Sequence, residues 1–375
     1  MAQNGSAAEV KESTGATAQS SPSPQNPPAA QRAAQSQSAA RSPAATQSPP
    51  AAHDNEVLEV DDASADADSA YNASIGSSSY VSSLTSSIRN YKYENGRRYH
   101  AYHEGSYVLP NDDEEQDRMD LLNHIYRLTL GGNLHLAPIG PNPQRVLDIG
   151  TGTGIWAIQF AEEYPSAEVI GTDLSPIQPQ WVPPNCVFEV DDFEQEWLFR
   201  TEFDYIHGRE LNGFVTDYDR LFRRAFNHLK PGGYFEMQSV DAYFFADDET
   251  IHKAKYCQMW AQYVREASEK FGKSFTQLPT WKEKMEKAGF VDVRDVAYKI
   301  PEGRWPKNPR LKEIGKYQQA QQIQATEAYT YALFSRILGW ETKEIEMLCA
   351  HVRNELLDPT LHLYVSAHFV YGRKP

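Results

Sequence analysis

The stretch from Arg145 to Trp156, RVLDIGTGTGIW, constrains the fold more than any other part of the chain. Val146-Leu147-Asp148-Ile149 is too short for a helix and has the apolar content of a strand buried on both faces. Gly150, Gly152 and Gly154 follow at alternate positions, which lets the backbone turn tightly and approach a ligand without Cβ interference. From Ile155 the spacing turns helical through Ile158 and Ala161, until Pro165 stops it. Strand, glycine loop and helix in that order predict a nucleotide-type ligand at the carboxyl end of a strand, with Gly150, Thr151, Gly152 and Gly154 in the loop that meets it.

The dinucleotide fingerprint is G-x-G-x-x-G, with a pyrophosphate on the helix N-terminus. Here the spacing is G-x-G-x-G, and Asp148 sits two residues before the first glycine. A carboxylate in that place repels phosphate and attracts a ligand carrying an amino group and a sulfonium. The pattern therefore favours S-adenosylmethionine (SAM) over NAD, and an NAD-dependent oxidoreductase rests on the glycine loop alone. Glu168 to Asp173 reads as a second strand, and Asp173, followed by Leu174, lies roughly 20 residues beyond the glycines, where an acid accepts from ribose hydroxyls. Val187 to Val190 reads as a third strand, ending at Asp191-Asp192-Phe193. Either acid can accept an adenine amino group, and Phe193 offers the ring an apolar neighbour. Phe203 to His207 reads as a fourth strand. A helix through Leu221, Ala225, Phe226 and Leu229 follows, closed by Lys230-Pro231-Gly232-Gly233, and Tyr234 to Val240 is the fifth strand.

The succession VLDIGTGTG, GTD, DDF, FDYIH and KPGGYFE, over Arg145 to Val240, resembles the class I SAM-dependent methyltransferases. More narrowly, ENGRRYHAYHEGSYVLPNDDEEQDRMDLLNH (Glu94 to His124), GTGIWAIQFAEEYP and DLSPIQPQWVPPNCVF (Asp173 to Phe188) resemble the fungal LaeA-like methyltransferases. The resemblance implies an α/β, Rossmann-like fold: a seven-stranded, mostly parallel sheet with helices on both faces and SAM as cofactor. It also implies two functions of different kind. One is methylation of a small secondary-metabolite acceptor. The other is regulation of secondary-metabolism genes in the nucleus together with protein partners.

An in-line methyl transfer needs a base only if the acceptor must lose a proton, since positioning supplies much of the rate. The candidates are His207 and Glu210, just after the fourth strand on the ligand side of the sheet. His207 is the expected catalytic base because an unperturbed imidazole titrates near neutrality, and Glu210 is placed at the substrate. Upstream, Tyr91, Tyr93, Tyr99, Tyr102 and Tyr107 crowd a segment that also holds His100 and His103. It reads either as tyrosines packed into the core with a polar tip kept free, or as a lid over the cofactor whose phenols, with Tyr99 and Tyr107 as the substrate candidates, line the acceptor pocket. Phe244-Phe245 reads as core. The chain has no Asn/Asp-Pro-Pro-aromatic box of amino-group methyltransferases, no carboxylate set for a metal-dependent catechol site and no P-loop, so DNA methylation is disfavoured and no metal is expected.

The rest of the chain organises around this core. Residues 1–88 are rich in Ala, Ser, Gln and Pro and cannot bury enough apolar surface to offset the entropy of ordering, so they read as a disordered arm. The arm reads as an inert tail or, alternatively, as a regulatory arm that meets protein partners, with four Ser-Pro pairs, at Ser21, Ser23, Ser42 and Ser48, that suit phosphorylation. Residues 89–140 form the lid, with an amphipathic helix from Asp113 to Leu130 carrying Met119, Leu122, Tyr126 and Leu130 on one side. The SAM-binding core spans 141–301, with helices expected over Asp247 to Phe271 and Thr280 to Ala288 and a strand over Phe290 to Val296. Two helices in 302–358 form an insertion expected to cover the acceptor, and the strand of 359–375 returns to the sheet. With 375 residues and a net charge of -15, the chain is a poor partner for nucleic acid, whose binding relies on Lys and Arg. Cys186, Cys257 and Cys349 show no metal or disulfide spacing, and no apolar run approaches a membrane span. The expected location is cytoplasmic, or nuclear for a regulator.

Overall fold

A computed structural model describes residues 56–61, 91–100 and 107–375. Ahead of the core, β1 (Lys92–Glu94) and β2 (Arg97–Tyr99) form a hairpin, turning at Asn95-Gly96 with both residues at positive φ. Then comes α1 (Asp113–Thr129), whose N-cap Asp112 accepts from the Glu115 N–H. The core runs β3 (Arg145–Ile149), α2 (Ile155–Glu163), β4 (Glu168–Asp173), β5 (Cys186–Val190), β6 (Phe203–Arg209), α3 (Tyr218–His228), β7 (Leu229–Val240), α4 (Lys255–Phe271), α5 (Trp281–Ala288) and β8 (Val291–Pro301). After it come α6 (Pro309–Leu333), a π-turn (Phe334–Leu338), α7 (Thr342–Leu356) and β9 (Tyr364–Arg373).

The seven-stranded sheet has the order β5-β4-β3-β6-β7-β9-β8. β3, β4, β5, β6 and β7 pair in parallel, whereas β9 lies antiparallel between β7 and β8. The order reverses beside β3, which puts the crevice for a ligand at the carboxyl end of that strand. Alternation along the central strands explains the two layers. Val146, Val169 and Tyr205 face Trp156, Ala157 and Phe160 of α2. Leu147, Ile206 and Phe235 face Leu221 and Phe222 of α3 and Trp281 and Met285 of α5. A third cluster joins α1 to α4, α6, α7 and β9 through Tyr126, Trp260, Ile314, Leu348 and Phe369. Among the described residues no helix is long and apolar enough to cross a membrane.

Three expectations need correction. The helix expected over Asp247 to Phe271 is interrupted: Asp248 caps a 3₁₀ turn at Glu249–His252, and α4 begins only at Lys255. Lys230 to Gly233 do not stand between helix and strand but lie inside β7, bulged out between the Leu229–Phe203 and Tyr234–Tyr205 pairs, with Lys230 Nζ bonded to Asp204 at 2.9 Å. Within the arm of 1–88, residues 56–61 are seated on the core. Leu58 is 7% exposed, its N–H donates to Asp247 Oδ2 at 3.0 Å, and Val60 bridges to Pro306. The other arm residues, with the Ser-Pro pairs, lie outside the described residues, as do Tyr102 and His103.

Candidate functional site

The glycine loop leaves β3 with Gly150, Gly152 and Gly154 all at positive φ (65°, 57° and 81°). Thr151 N–H donates to Thr172 O at 2.9 Å, and Gly152 N–H donates to Asp173 Oδ2 at 2.9 Å. These bonds fasten the loop to the end of β4. A cavity opens against it, lined by Asp148 of β3, by Gly150, Thr151 and Gly152 of the loop, and by Asp173 and Leu174 at the end of β4. Asp192 and Phe193 close the far side, and Tyr107, His207 and Glu210 also line it. The structure thus gathers most of the sequence-derived residues around one space.

Three do not line it. Gly154 caps α2, and a Cβ there would fall 2.7 Å from Phe188 Cε1, so this glycine makes room for a packed ring. Asp191 turns back to accept from the Asp192 N–H at 2.9 Å and holds the loop instead. Tyr99 is buried in the hairpin under the Arg336 guanidinium, 4.8 Å from its ring centre, and burial pushes its phenol up to about 12. The expectation that Tyr99 faces an acceptor is therefore corrected: the hairpin turns it inward as core. Phe244 is buried in the core, as expected, and also lines a second cavity described below, while Phe245 stacks on Tyr364.

Electrostatics divide the acids by task. Asp148 accepts from Thr151 Oγ1 at 2.6 Å and from His207 Nδ1 at 2.7 Å. His207 is fully buried and stacks face to face on Trp156 at 3.7 Å. Burial lowers its pKa against the opposing pull of Asp148, which keeps the imidazole neutral, and its Nε2 has no partner among the described residues. Asp173 takes a second bond from Ser175 N–H at 2.8 Å, and burial outweighs these donors to raise it to about 6. Glu210 stands at the carboxyl end of β6 with φ +56, a conformation non-glycine residues hold only when the surroundings force it. Its Oε1 accepts from the Tyr126 hydroxyl and from Val240 N–H at 3.2 Å, and burial raises its pKa.

Sequence reading missed several lining residues. Arg118 of α1 pairs with Glu115 at 2.6 Å, both buried, and its Nη1 remains without a partner among the described residues. Arg209 bonds Asn123 Oδ1 at 2.7 Å and Gln238 Oε1 at 2.8 Å, with Nη2 left over. Tyr329 of α6 lines the cavity from the opposite side. Arg118 had a signal, because Glu115, Arg118, Leu122, Tyr126 and Thr129 follow helical spacing and all face inward. Two charges at the start of an apolar stripe mark a polar task. Tyr329 had none, since only tertiary packing brings α6 over the loop.

A second cavity adjoins the first and shares Leu122, Glu210 and Tyr329 with it. Among the described residues no cluster of His, Cys, Asp and Glu could hold a metal ion.

The profile of a methyltransferase-domain family matches residues 122–294. Methyltransferase pytC of Aspergillus terreus is 40% identical over 303 residues, covering 80% of this chain and 94% of that protein. Secondary metabolism regulator LAE1 of Cochliobolus heterostrophus is 34% identical over 289 residues, covering 75% and 94%. Secondary metabolism regulator laeA of Aspergillus flavus is 34% identical over 300 residues, covering 79% and 80%.

Proposed function

The chain belongs to the LaeA-like class I methyltransferases, and from that premise we propose that it transfers the methyl group of SAM to a small-molecule acceptor of secondary metabolism. The observation that carries the reading is the meeting of two cavities at one wall, with the glycine loop and its acids on one side and Glu210 and Tyr329 between them. The cavity at the loop fits SAM in its own donors and acceptors. Arg118 Nη1, a buried guanidinium nitrogen awaiting an acceptor, would hold the carboxylate. Asp148 lies near enough to the loop to favour the ammonium, Asp173 the ribose hydroxyls, and Asp192, beside Phe193, the adenine amino group. Gly152 gives the backbone its close approach.

When bound, SAM supplies an electrophilic methyl on a sulfonium, and S-adenosylhomocysteine leaves. Glu210 is the group this chain offers to the acceptor's proton. It lines both cavities, its hydrogen bonds both fall on Oε1, and its raised pKa makes it a better base than a solvated carboxylate. His207, the base expected from sequence, bonds Asp148 and stacks on Trp156, and lines only the loop cavity of the two. We assign it to orienting Asp148.

The test uses SAM with a labelled methyl group, incubated with the protein and host extract. Label in solvent-extractable small molecules, lost in Gly152→Val, is the expected result. Label on protein would move the assignment to a regulator that methylates a partner or itself, the reading favoured by the 34% identity to LAE1 and laeA.

A further inference from the structure

The second cavity lies between the end of β7, α4 and α6, and its chemistry is opposite to that of the first. Phe244, Trp260, Phe275 and Tyr329 supply aromatic walls. Its lining includes two carboxylates, Glu210 and Asp241, and no Lys, Arg or His. The buried side-chain atoms of its lining that lack a partner among the described residues are all oxygens: Asn212 Oδ1, Asp241 Oδ1, Gln318 Oε1 and Gln321 Oε1. Two of the amides have their nitrogens engaged elsewhere. Asn212 Nδ2 donates to Phe275 O at 2.9 Å, and Gln318 Nε2 donates to Glu302 Oε1 at 2.9 Å. In the first cavity the unpartnered set includes two guanidinium nitrogens, those of Arg118 and Arg209.

Buried acceptors without donors are rare in folded proteins, and a cluster of them around one cavity marks a place where a ligand completes the hydrogen bonding. We propose that the second cavity is the acceptor pocket and that it takes an uncharged, ring-bearing molecule with at least two hydrogen-bond donors, hydroxyl or N–H. Aromatic walls favour a flat ring system. Unpartnered oxygens ask for donors. Two carboxylates with no cation among the lining residues turn away a carboxylate or phosphate. The donor nearest the shared wall meets Glu210, which is where its proton is taken. The acceptor role and that last step rest on the methyltransferase reading; the selectivity of the pocket does not.

Calorimetry on the full chain, saturated with S-adenosylhomocysteine, tests this with three probes on one ring: 2,7-dihydroxynaphthalene, 2,7-dimethoxynaphthalene and naphthalene-2,7-dicarboxylate. The diol is expected to bind about tenfold or more tightly than the dimethoxy compound, the worth of one or two buried hydrogen bonds, and the dicarboxylate not at all. Gln321→Leu should weaken the diol several-fold, and Ala325→Trp, which fills the cavity, should abolish it, both with S-adenosylhomocysteine affinity kept. Retained affinity for S-adenosylhomocysteine also shows that each variant folds. Equal binding of diol and dicarboxylate, no diol binding at millimolar concentration, or a diol affinity untouched by Ala325→Trp would overturn the proposal. Selective diol binding by a chain that fails to bind S-adenosylhomocysteine would sink the cofactor reading and the acceptor role while the ligand selectivity of the cavity stands.

Discussion

Gly152 and Gly154 stand two residues apart in one loop, both at positive φ, yet the structure gives them different tasks. A Cβ at Gly152 would meet only Met119 Sδ at 3.2 Å, and a flexible thioether can yield. A Cβ at Gly154 would press into the Phe188 ring, which is packed against β4 and α2. Gly154→Val should therefore lower the melting temperature more than Gly152→Val, whereas Gly152→Val should lose S-adenosylhomocysteine binding in calorimetry. Each carries the left-handed backbone cost of roughly 1–2 kcal/mol, so that term cancels in the comparison. Asp173 gives a pH prediction. Its carboxyl sits at about 6 rather than 3.8 because burial outweighs its backbone donors. If Asp173 takes the ribose as proposed, the hydroxyls need its ionised form, so cofactor affinity should rise as pH climbs through about 6 and level off above it. Folding shifts the other way, since the native state holds this proton more tightly than the unfolded chain and stability falls over the same window. Asp173→Asn should weaken binding by about 1.5–3 kcal/mol at pH 7.5 and remove the pH step; a step that persists in the variant would place the titrating group elsewhere.

Elements differ in how far local sequence fixes them. α1 is defined at its start by Asp112, which caps Glu115 N–H at 3.1 Å, accepts from Arg97 Nε and Nη2 at 2.7 and 2.8 Å and accepts from Arg98 N–H. One carboxylate thereby ties the hairpin to the helix that carries Arg118. Asp112→Ala should cost about 1–2 kcal/mol for the cap, and more where Arg97 loses its partner, read as a lower denaturant midpoint. The parallel strands, the glycine loop and the acids at the strand ends were readable because each is written in a few adjacent residues whose period and end groups suffice. The sites of Tyr99 and Tyr329 were not. Tyr99 is inward because the Asn95-Gly96 turn sets the hairpin's register, and Tyr329 reaches the cavity because α6 packs across α1 more than 180 residues away in the chain. The second cavity is written in five separate elements, so no stretch of sequence announces it.

At the scale of the whole molecule, a six-residue piece of the arm packs beside the stretch that follows β8. Leu58 enters the cluster that holds Trp305 and Leu363, and Asp61 N–H and Lys307 N–H exchange bonds with Trp305 O and Glu59 O at 2.8 and 2.6 Å. Asp247 organises the seat: it takes Leu58 N–H, Lys299 Nζ at 2.7 Å and the Tyr364 hydroxyl at 3.0 Å. Burial alone would raise its pKa, but those donors outweigh burial and lower it. The sign follows directly. Stability from Asp247 is present above 3.8 and is lost as pH falls through the lowered value. Composition cannot show this segment, because Val57, Leu58 and Val60 are too few to fold alone and gain order only from the surface they meet. A chain lacking residues 1–55 should match the full chain in denaturant midpoint. Removing 1–61 should lower stability by about 1.5–3 kcal/mol, the worth of one buried leucine, with Lys299 left to Asp247 and Tyr364. The loss should shrink toward acid pH as Asp247 protonates and releases Leu58 in the full chain as well. Identical midpoints for the two truncations would mean that the segment rests on the core without stabilising it, and that the energetic boundary of the folded unit lies beyond residue 61.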